Sequence, residues 1–256
     1  MKLKGERMGR SRASTSNVPE RLQVQGLEEP VEVRRHPKAR RMTLRISRTQ
    51  RTVIVTLPMQ CDLAQAGQFL SNHLDWVRDR LTKMPAAMPF VDGGMVSLRG
   101  IPHRIIFNGA RRAAAPVVTR ISGIDTRELH VAGAIETAPR RLRSWLIEQA
   151  RQDLKERVAY HTGRLGLKAH KISVRDQTSR WGSCSSKGNL SFSWRLVMAP
   201  PQILDYVAAH EVAHLAEMNH GPRFWALVRK TCPQMDEAKQ WLQAYGIELH
   251  RYGAQS

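Results

Sequence analysis

The residues of this sequence best placed to do chemistry are two histidines one helical turn apart, His210 and His214, with Glu211 beside the first. Successive residues of an α-helix are about 100° apart around the axis, so these imidazoles lie about 40° apart and can reach one ion. Glu211 flanks that face, where a carboxylate can hold a water against a metal without binding the metal itself. The pattern His-Glu-x-x-His is therefore typical of a zinc site that activates water.

A third ligand should follow the helix. The run Asn219–Pro222 breaks the helix, and its turn can bring His220 back to the ion. Glu217 is the alternative, because it lies seven residues after His210 and would project from the same helical face. Its carboxylate could bind the metal or accept a hydrogen bond from a ligand imidazole. We favour His220, which gives three protein ligands and one open position, as in catalytic zinc sites.

The motif needs a buried helix to hold it. Two prolines open the segment at 200–201, and apolar residues follow at helical spacing: Ile203, Leu204, Val207, Ala208, Val212 and Leu215. A longer helix is predicted over about residues 139–163. In zinc peptidases with a motif of this kind such a helix packs behind the motif helix, and the similarity implies the same packing here. Strand-like runs at 172–175 and 189–197 are joined by a long polar segment, which is where further site residues are expected.

The N-terminal half has the alternation of β-strands. Strands are predicted at 31–33, 40–47, 52–57, 95–98, 101–107, 116–121 and 128–131, with one helix from Asp62 to about Met84. The fold class is therefore α+β, with a mainly β N-terminal half containing one packed helix. The C-terminal half is helical, with a small antiparallel sheet beside the motif helix. We divide the chain into a basic disordered tail (1–29), a mainly β region (30–135) and a domain carrying the site (136–250).

The composition indicates a polyanion-binding surface. Lys and Arg number 41 against 22 acidic residues, for a net charge of +19. Such a surface attracts nucleic acid. Many of the charges fall in the first β region, at Arg34, Arg35, Lys38, Arg40, Arg41, Arg45, Arg48 and Arg51. No aromatic residues interleave with them in sequence, so base stacking is not indicated there.

The cysteines and apolar runs indicate a cytoplasmic protein. The three cysteines are scattered, form no C-x-x-C pair and imply no disulfide framework. No apolar run resembles a signal peptide or reaches the roughly 18 residues of a membrane span. The expected partner is a protein or peptide substrate, with no membrane. No feature of the sequence predicts an oligomeric state.

Several motifs together resemble the YgjP-like metallopeptidase family. They are the runs Ser179–Ser185, Asn189–Pro200, His210–His214 and Asn219–Trp225, with support from Arg34–Leu57 and Phe90–Gly93. The resemblance extends over residues 30–247 and implies a zincin-like, zinc-dependent peptidase domain related to the SprT-like and WLM groups. It also implies that His210, His214 and His220 bind Zn²⁺ and that Glu211 is the catalytic base, and the sequence departs from the family at none of these positions.

Three functions are compatible with these features. The first is a zinc hydrolase of peptide bonds, with Arg180 and Trp181 as candidates for substrate contact or for the oxyanion donor. In this hypothesis residues 189–195 form an edge strand on which a peptide docks. The second is a DNA-associated protease that acts on nucleic-acid-bound proteins, suggested by the charge and the SprT-like kinship. The third is a non-catalytic zinc-containing module that binds nucleic acid, and the presence of Glu211 speaks against it.

Overall fold

The computed structural model describes residues 20–47, 51–109, 116–123, 126–177 and 179–253. The described chain forms two compact units, the first including residues 20–46 and 52–78 and the second residues 79–253. The sequence-based division into 30–135 and 136–250 follows the position of the motifs, and it stays a prediction.

The first unit is built on a four-stranded sheet of order β1-β2-β4-β3. Its elements are β1 (Glu20–Leu22), β2 (Val31–Arg35), β3 (Thr43–Ser47), β4 (Thr52–Leu57), α1 (Leu63–Ser71) and α2 (Leu74–Thr82). Val31, Val33, Val55 and Leu57 are buried at alternate positions of the two central strands, which run parallel. The predicted alternation of apolar residues therefore supplies the core of this unit.

Part of the predicted disordered tail, residues 20–29, is structured. Residues 1–19 of it lie outside the described residues. The remainder is structured, because β1 pairs antiparallel with β2 and the side chains of Val24 and Leu27 are buried. Apolar residues within a charged stretch are enough to attach it to a sheet edge.

The single helix predicted from Asp62 to Met84 is two short helices. Its start is confirmed: Asp62 accepts a hydrogen bond from the Gln65 N–H at 2.7 Å, and the Gln65 side chain bonds back to the Asp62 N–H. The break comes where the His73 N–H bonds to the Leu70 carbonyl at 2.9 Å, three residues back. Such a bond tightens the last turn and ends α1.

The second unit begins with another four-stranded sheet, of order β5-β6-β8-β7. Its strands are β5 (Met95–Leu98), β6 (Ile101–Phe107), β7 (Val117–Ser122) and β8 (Thr126–Val131). The first two coincide with the predicted spans, and the others begin or end within two residues of them. Ile105, Leu129 and Val131 are buried in the same core as the C-terminal helices.

The C-terminal half is helical around a small sheet, which confirms the α+β class. Its elements are α3 (Ala138–Leu165), β9 (Lys171–Arg175), β10 (Gly182–Cys184), β11 (Asn189–Ser193), α4 (Pro201–Ala213), α5 (Pro222–Thr231) and α6 (Met235–Tyr245). Short 3₁₀ helices follow β11 at Trp194–Met198 and α6 at Gly246–His250. The sheet was expected to be antiparallel and is mixed: β10 pairs antiparallel with β11, and β9 pairs parallel with β11.

The long helix α3 packs behind the motif helix α4, as predicted. Leu146, Ala150 and Leu154 of α3 are buried in one cluster with Ala209 of α4. A polar link adds to this packing, because the buried His161 Nε2 lies 2.7 Å from the Asp205 carboxylate on α4. Within the described ranges, no helix combines the length and the hydropathy that crossing a membrane requires.

Candidate metal centre

The two motif histidines lie at the C-terminal end of α4. Pro201 begins the helix at a position where its missing N–H costs nothing, and the buried residues that follow fix the helix in the core. His210 occupies the last turn, and His214 follows directly after Ala213, the last helical residue. One turn therefore separates the two imidazoles, whose ring centroids are 5.0 Å apart.

The turn after α4 brings His220 to the same place. The Gly221 N–H bonds to the Asn219 carbonyl at 2.8 Å, which reverses the chain before α5 begins at Pro222. The Nε2 atoms of His220 and His210 are 3.1 Å apart. One ring nitrogen from each of the three histidines lies within 4.8 Å of the others. The structure thus gathers the three histidines that the sequence predicts as ligands.

These three rings fit a metal ion. Two imidazoles on one tetrahedral zinc at about 2.05 Å have nitrogens about 3.3 Å apart, close to the separation observed here. Burial, together with the charges of His214, His220 and Lys239, lowers the pKa of His210 to about 4. Burial also lowers the pKa of His214. Both imidazoles are therefore neutral near pH 7, which is the form that binds metals.

Glu217 contacts the site through its main-chain carbonyl. The sequence analysis placed its side chain on the face of His210, and this is wrong because α4 ends at Ala213. The Glu217 carbonyl instead accepts a hydrogen bond from His214 Nδ1 at 3.0 Å. That bond places the proton on Nδ1 and leaves Nε2 of His214 to bind a metal. Among the described residues, the group able to bind a metal contains the three histidines and no carboxylate.

Phe224 supports all three imidazoles. This fully buried side chain lies in the first turn of α5, and its ring centroid is 4.9 Å from His210, 4.5 Å from His214 and 4.7 Å from His220. Its contacts make it the apolar base of the site, and a rigid base of this kind fixes the positions of ligand rings.

Glu211, which follows His210 in α4, is a buried carboxylate. Its residue is 5% exposed. Burial raises the pKa of Glu211 to about 7, and the positive charge of Arg180 opposes that rise. A carboxylate with a pKa near the working pH suits proton transfer. Arg180, the source of that charge, is exposed, and its contact with substrate stays a prediction.

The polar segment before β11 contains a strand that the sequence analysis missed. This strand, β10, contacts α4, and Gly182 lies directly against Glu211. A Cβ atom at position 182 would be 2.5 Å from Oε1 of Glu211 and 2.6 Å from its Cγ. Only glycine leaves room for the carboxylate where it stands. The glycine of the W-G-S-C run was the available signal.

Trp181, the residue before β10, packs against the C-terminal segment of the chain. Its ring stacks on His250 at 4.9 Å with an interplanar angle of 25°, and it also lies against Gly246. The segment containing His250 is held in turn by the buried Arg195, whose Nη1 donates to the Leu249 carbonyl at 3.0 Å. Trp181 therefore packs on the C-terminal segment, whereas Arg180 is the residue whose charge acts on Glu211.

Tyr206 is a further residue that the sequence analysis missed. It precedes His210 by one helical turn, is buried, and meets the His210 ring edge-on at 5.9 Å. Burial, with the nearby charges of Cys232, Asp236 and Glu211, raises the pKa of Tyr206 to about 12, so its hydroxyl stays protonated. Its spacing of four residues from His210 was visible in the sequence.

Replacing Gly182 with Ala tests the contact with Glu211. The new methyl group has to displace a buried carboxylate, and a misplacement of about 1 Å costs up to about a hundredfold in rate. We expect kcat to fall by that order while the metal content stays at the parental level. The measurement is steady-state hydrolysis with metal analysis of the same sample. Gly163→Ala is the matched control, because a Cβ there meets nothing within 4 Å; equal losses in both variants would contradict the prediction.

The chain has similarity to known proteins. The sequence profile of the YgjP-like metallopeptidase domain matches residues 40–245. Among solved structures, the chain is similar to the crystal structure of the metallopeptidase zymogen of Pyrococcus abyssi abylysin, with 21% sequence identity and a TM-score of 0.34. That similarity covers 39% of this chain and 97% of the other. No curated protein sequence is significantly similar to the chain.

Proposed function

The chain belongs to the YgjP-like metallopeptidase family, and from this premise we propose that it is a zinc-dependent peptidase. The observation that carries the proposal is the convergence of three imidazoles that can bind one ion. The buried carboxylate of Glu211 follows the first of them in the chain and is not part of that group. Three histidines with an open fourth position form a catalytic rather than a structural zinc site. Imidazole nitrogen is also a donor that zinc accepts readily.

The proposed chemistry divides between the ion and Glu211. His210, His214 and His220 would hold the zinc ion, which would supply a Lewis acid that lowers the pKa of a water to about 7. Glu211 Oε accepts the proton from the attacking water and passes it to the leaving amine. Arg180, an exposed residue whose charge acts on Glu211, donates hydrogen bonds to the substrate carbonyl as negative charge develops there.

The substrate strand should dock on β10. The sequence analysis proposed residues 189–195 as the edge strand, and this is wrong because β11 lies at the centre of its sheet, between β10 and β9. The edge next to α4 is β10. Main-chain docking on an edge strand gives affinity without demanding one substrate sequence.

The hydrogen-bond alternation of β10 identifies the groups that a substrate can use. Ser193 N–H donates to the Trp181 carbonyl at 2.9 Å, so position 181 faces β11. In an antiparallel pair the bonded positions alternate, and Ser183 therefore also faces β11. The main-chain groups of Gly182 and Cys184 point to the edge, where an extended peptide can pair with them.

Replacing Cys184 with Pro tests this docking. Proline removes the outward N–H and is tolerated in edge strands at such positions. Loss of one hydrogen bond corresponds to roughly a fivefold weakening. We expect the KM of Cys184→Pro to exceed that of Cys184→Ala, which removes only the thiol, by about this factor. Equal KM values in the two variants would exclude the outward N–H of residue 184 from binding.

A cleavage screen tests the function as a whole. The full chain, loaded with zinc, is incubated with a mixed peptide library, and the products are identified by mass spectrometry. We expect new termini that disappear when a zinc chelator is added and return when zinc is restored. Absence of cleavage by a sample with stoichiometric zinc would refute the peptidase assignment.

A further inference from the structure

The first unit has a groove along the edge strand of its sheet. The groove has a volume of about 390 Å³ and lies between β3 and the two helices α1 and α2. Arg41, Met42, Thr43 and Leu44 line its strand side, which is part cationic and part aliphatic, and the aromatic residues Phe69, His73 and Trp76 line its helix side. The groove belongs to the first unit alone, and the metal centre to the second.

Three aromatic rings face this groove. The rings of Phe69 and His73 are 4.5 Å apart and tilted by 47°, and His73 Nδ1 donates to the Phe69 carbonyl at 2.8 Å. That bond fixes the orientation of the imidazole. The Trp76 residue is 43% exposed, although it is among the largest apolar residues of the chain. The fold therefore supplies the aromatic surface that the sequence of the basic strands lacked.

The strand side of the groove is basic. The sequence contains no acidic residue between Glu32 and Asp62, whereas Arg and Lys recur throughout that stretch. Arg34 and Arg35 form ion pairs with Glu32 and Glu20. Arg41 and Arg45 are exposed and flank Thr43 at spacings of two residues, so Arg45 shares the strand face of Thr43.

We propose that this groove binds single-stranded nucleic acid. The bases would stack on Trp76 and on the Phe69–His73 pair, and the phosphates would lie along Arg41 and Arg45. Aromatic side chains beside a cationic track are the recurring design of single-strand sites, because every base has a face that can stack. A duplex hides those faces, so the aromatic rings favour a single strand over a duplex. An acidic peptide would use the arginines and leave the rings without a role.

The test measures binding of the full chain to fluorescent oligothymidylate and oligouridylate of about 15 nucleotides by anisotropy. We expect Trp76→Ala to weaken binding about tenfold, with Trp76→Phe restoring most of it. Arg41→Ala should reduce the slope of log affinity against log salt by about 0.7, the value for one phosphate contact on a single strand. The two oligonucleotides distinguish DNA from RNA, and tight binding of either supports the site.

Matched controls separate this site from general attraction to a basic protein. Tyr160 is exposed to the same extent as Trp76, 43%, and Arg120 is an exposed arginine of the second unit. Alanine at either position should leave oligonucleotide binding at the parental level. Glu211→Gln should also leave oligonucleotide binding unchanged, because the groove and the metal centre belong to different units. The proposal fails if Trp76→Ala and Tyr160→Ala bind alike. It also fails if polyglutamate or a duplex of equal length displaces the oligonucleotide as readily as a single strand does.

Discussion

Replacing Glu211 with Gln is expected to reduce peptide hydrolysis by about a thousandfold while the metal stays bound. Glutamine keeps the size of the side chain and fits the buried space beside Gly182. It does not accept a proton, and general base catalysis contributes about 10²–10⁴-fold to rates. The measurement combines kcat on a cleaved peptide with metal stoichiometry of the same preparation.

The same substitution on the surface provides the control. Glu237 is an exposed carboxylate in the first turn of α6, and Glu237→Gln should hydrolyse peptide at the parental rate. A Glu211→Gln protein with full metal and parental activity would remove Glu211 from the mechanism. Loss of metal from that variant would instead make the carboxylate part of the binding site, contrary to the ligand set proposed here.

The ligand positions could be predicted because local geometry determines them. The spacing of His210 and His214 gives one helical face whatever the rest of the fold does. The break at Asn219–Pro222 predicts a reversal, and the reversal is what delivers His220. Element type was likewise predictable wherever the apolar period was long, as in α3 and in the strands of the second sheet.

The wrong predictions concern residues whose position depends on contacts distant in sequence or on the exact end of a helix. Glu217 was misplaced because the last residue of α4 could not be read from the apolar pattern. β10 has three residues and no alternation to detect, and it exists because β11 and Glu211 pack against it. Its neighbour Trp181 is oriented by a segment about seventy residues away in the chain, around His250.

In the groove of the first unit, the charged residues could be predicted from the sequence and the aromatic surface could not. The arginines of the strands lie close together in the sequence and could be counted, whereas the aromatic rings come from two helices and the residues between them. The break between α1 and α2, at Asn72–His73, places Phe69 on one helix and Trp76 on the next. A single straight helix was predicted there, so the shared surface of the two rings and the strand was not visible before the fold was known.

Replacing His220 with Ala is expected to abolish stoichiometric metal binding. Among the three histidines, His220 is the one supplied by the turn before α5, and its Nε2 lies 3.1 Å from that of His210. Two histidines on one helix face give a weaker chelate, and even residues behind the ligands change metal affinity by about 10–100-fold. We expect zinc affinity to fall by more than about a hundredfold, as measured by competition with a chromophoric chelator.

Thermal unfolding gives this prediction a second readout that does not depend on activity. A ligand that binds the native state alone raises its stability in proportion to RT ln(1 + [L]/Kd). Zinc should therefore raise the Tm of the parental protein and of His170→Ala, which changes an exposed histidine, and should leave the Tm of His220→Ala unchanged. His220→Glu should recover part of the shift, because a carboxylate also serves as a zinc ligand. Full zinc occupancy in His220→Ala would mean that a different set of residues binds the ion. The proposed mechanism would then fail, because it depends on three histidine ligands and one open coordination position.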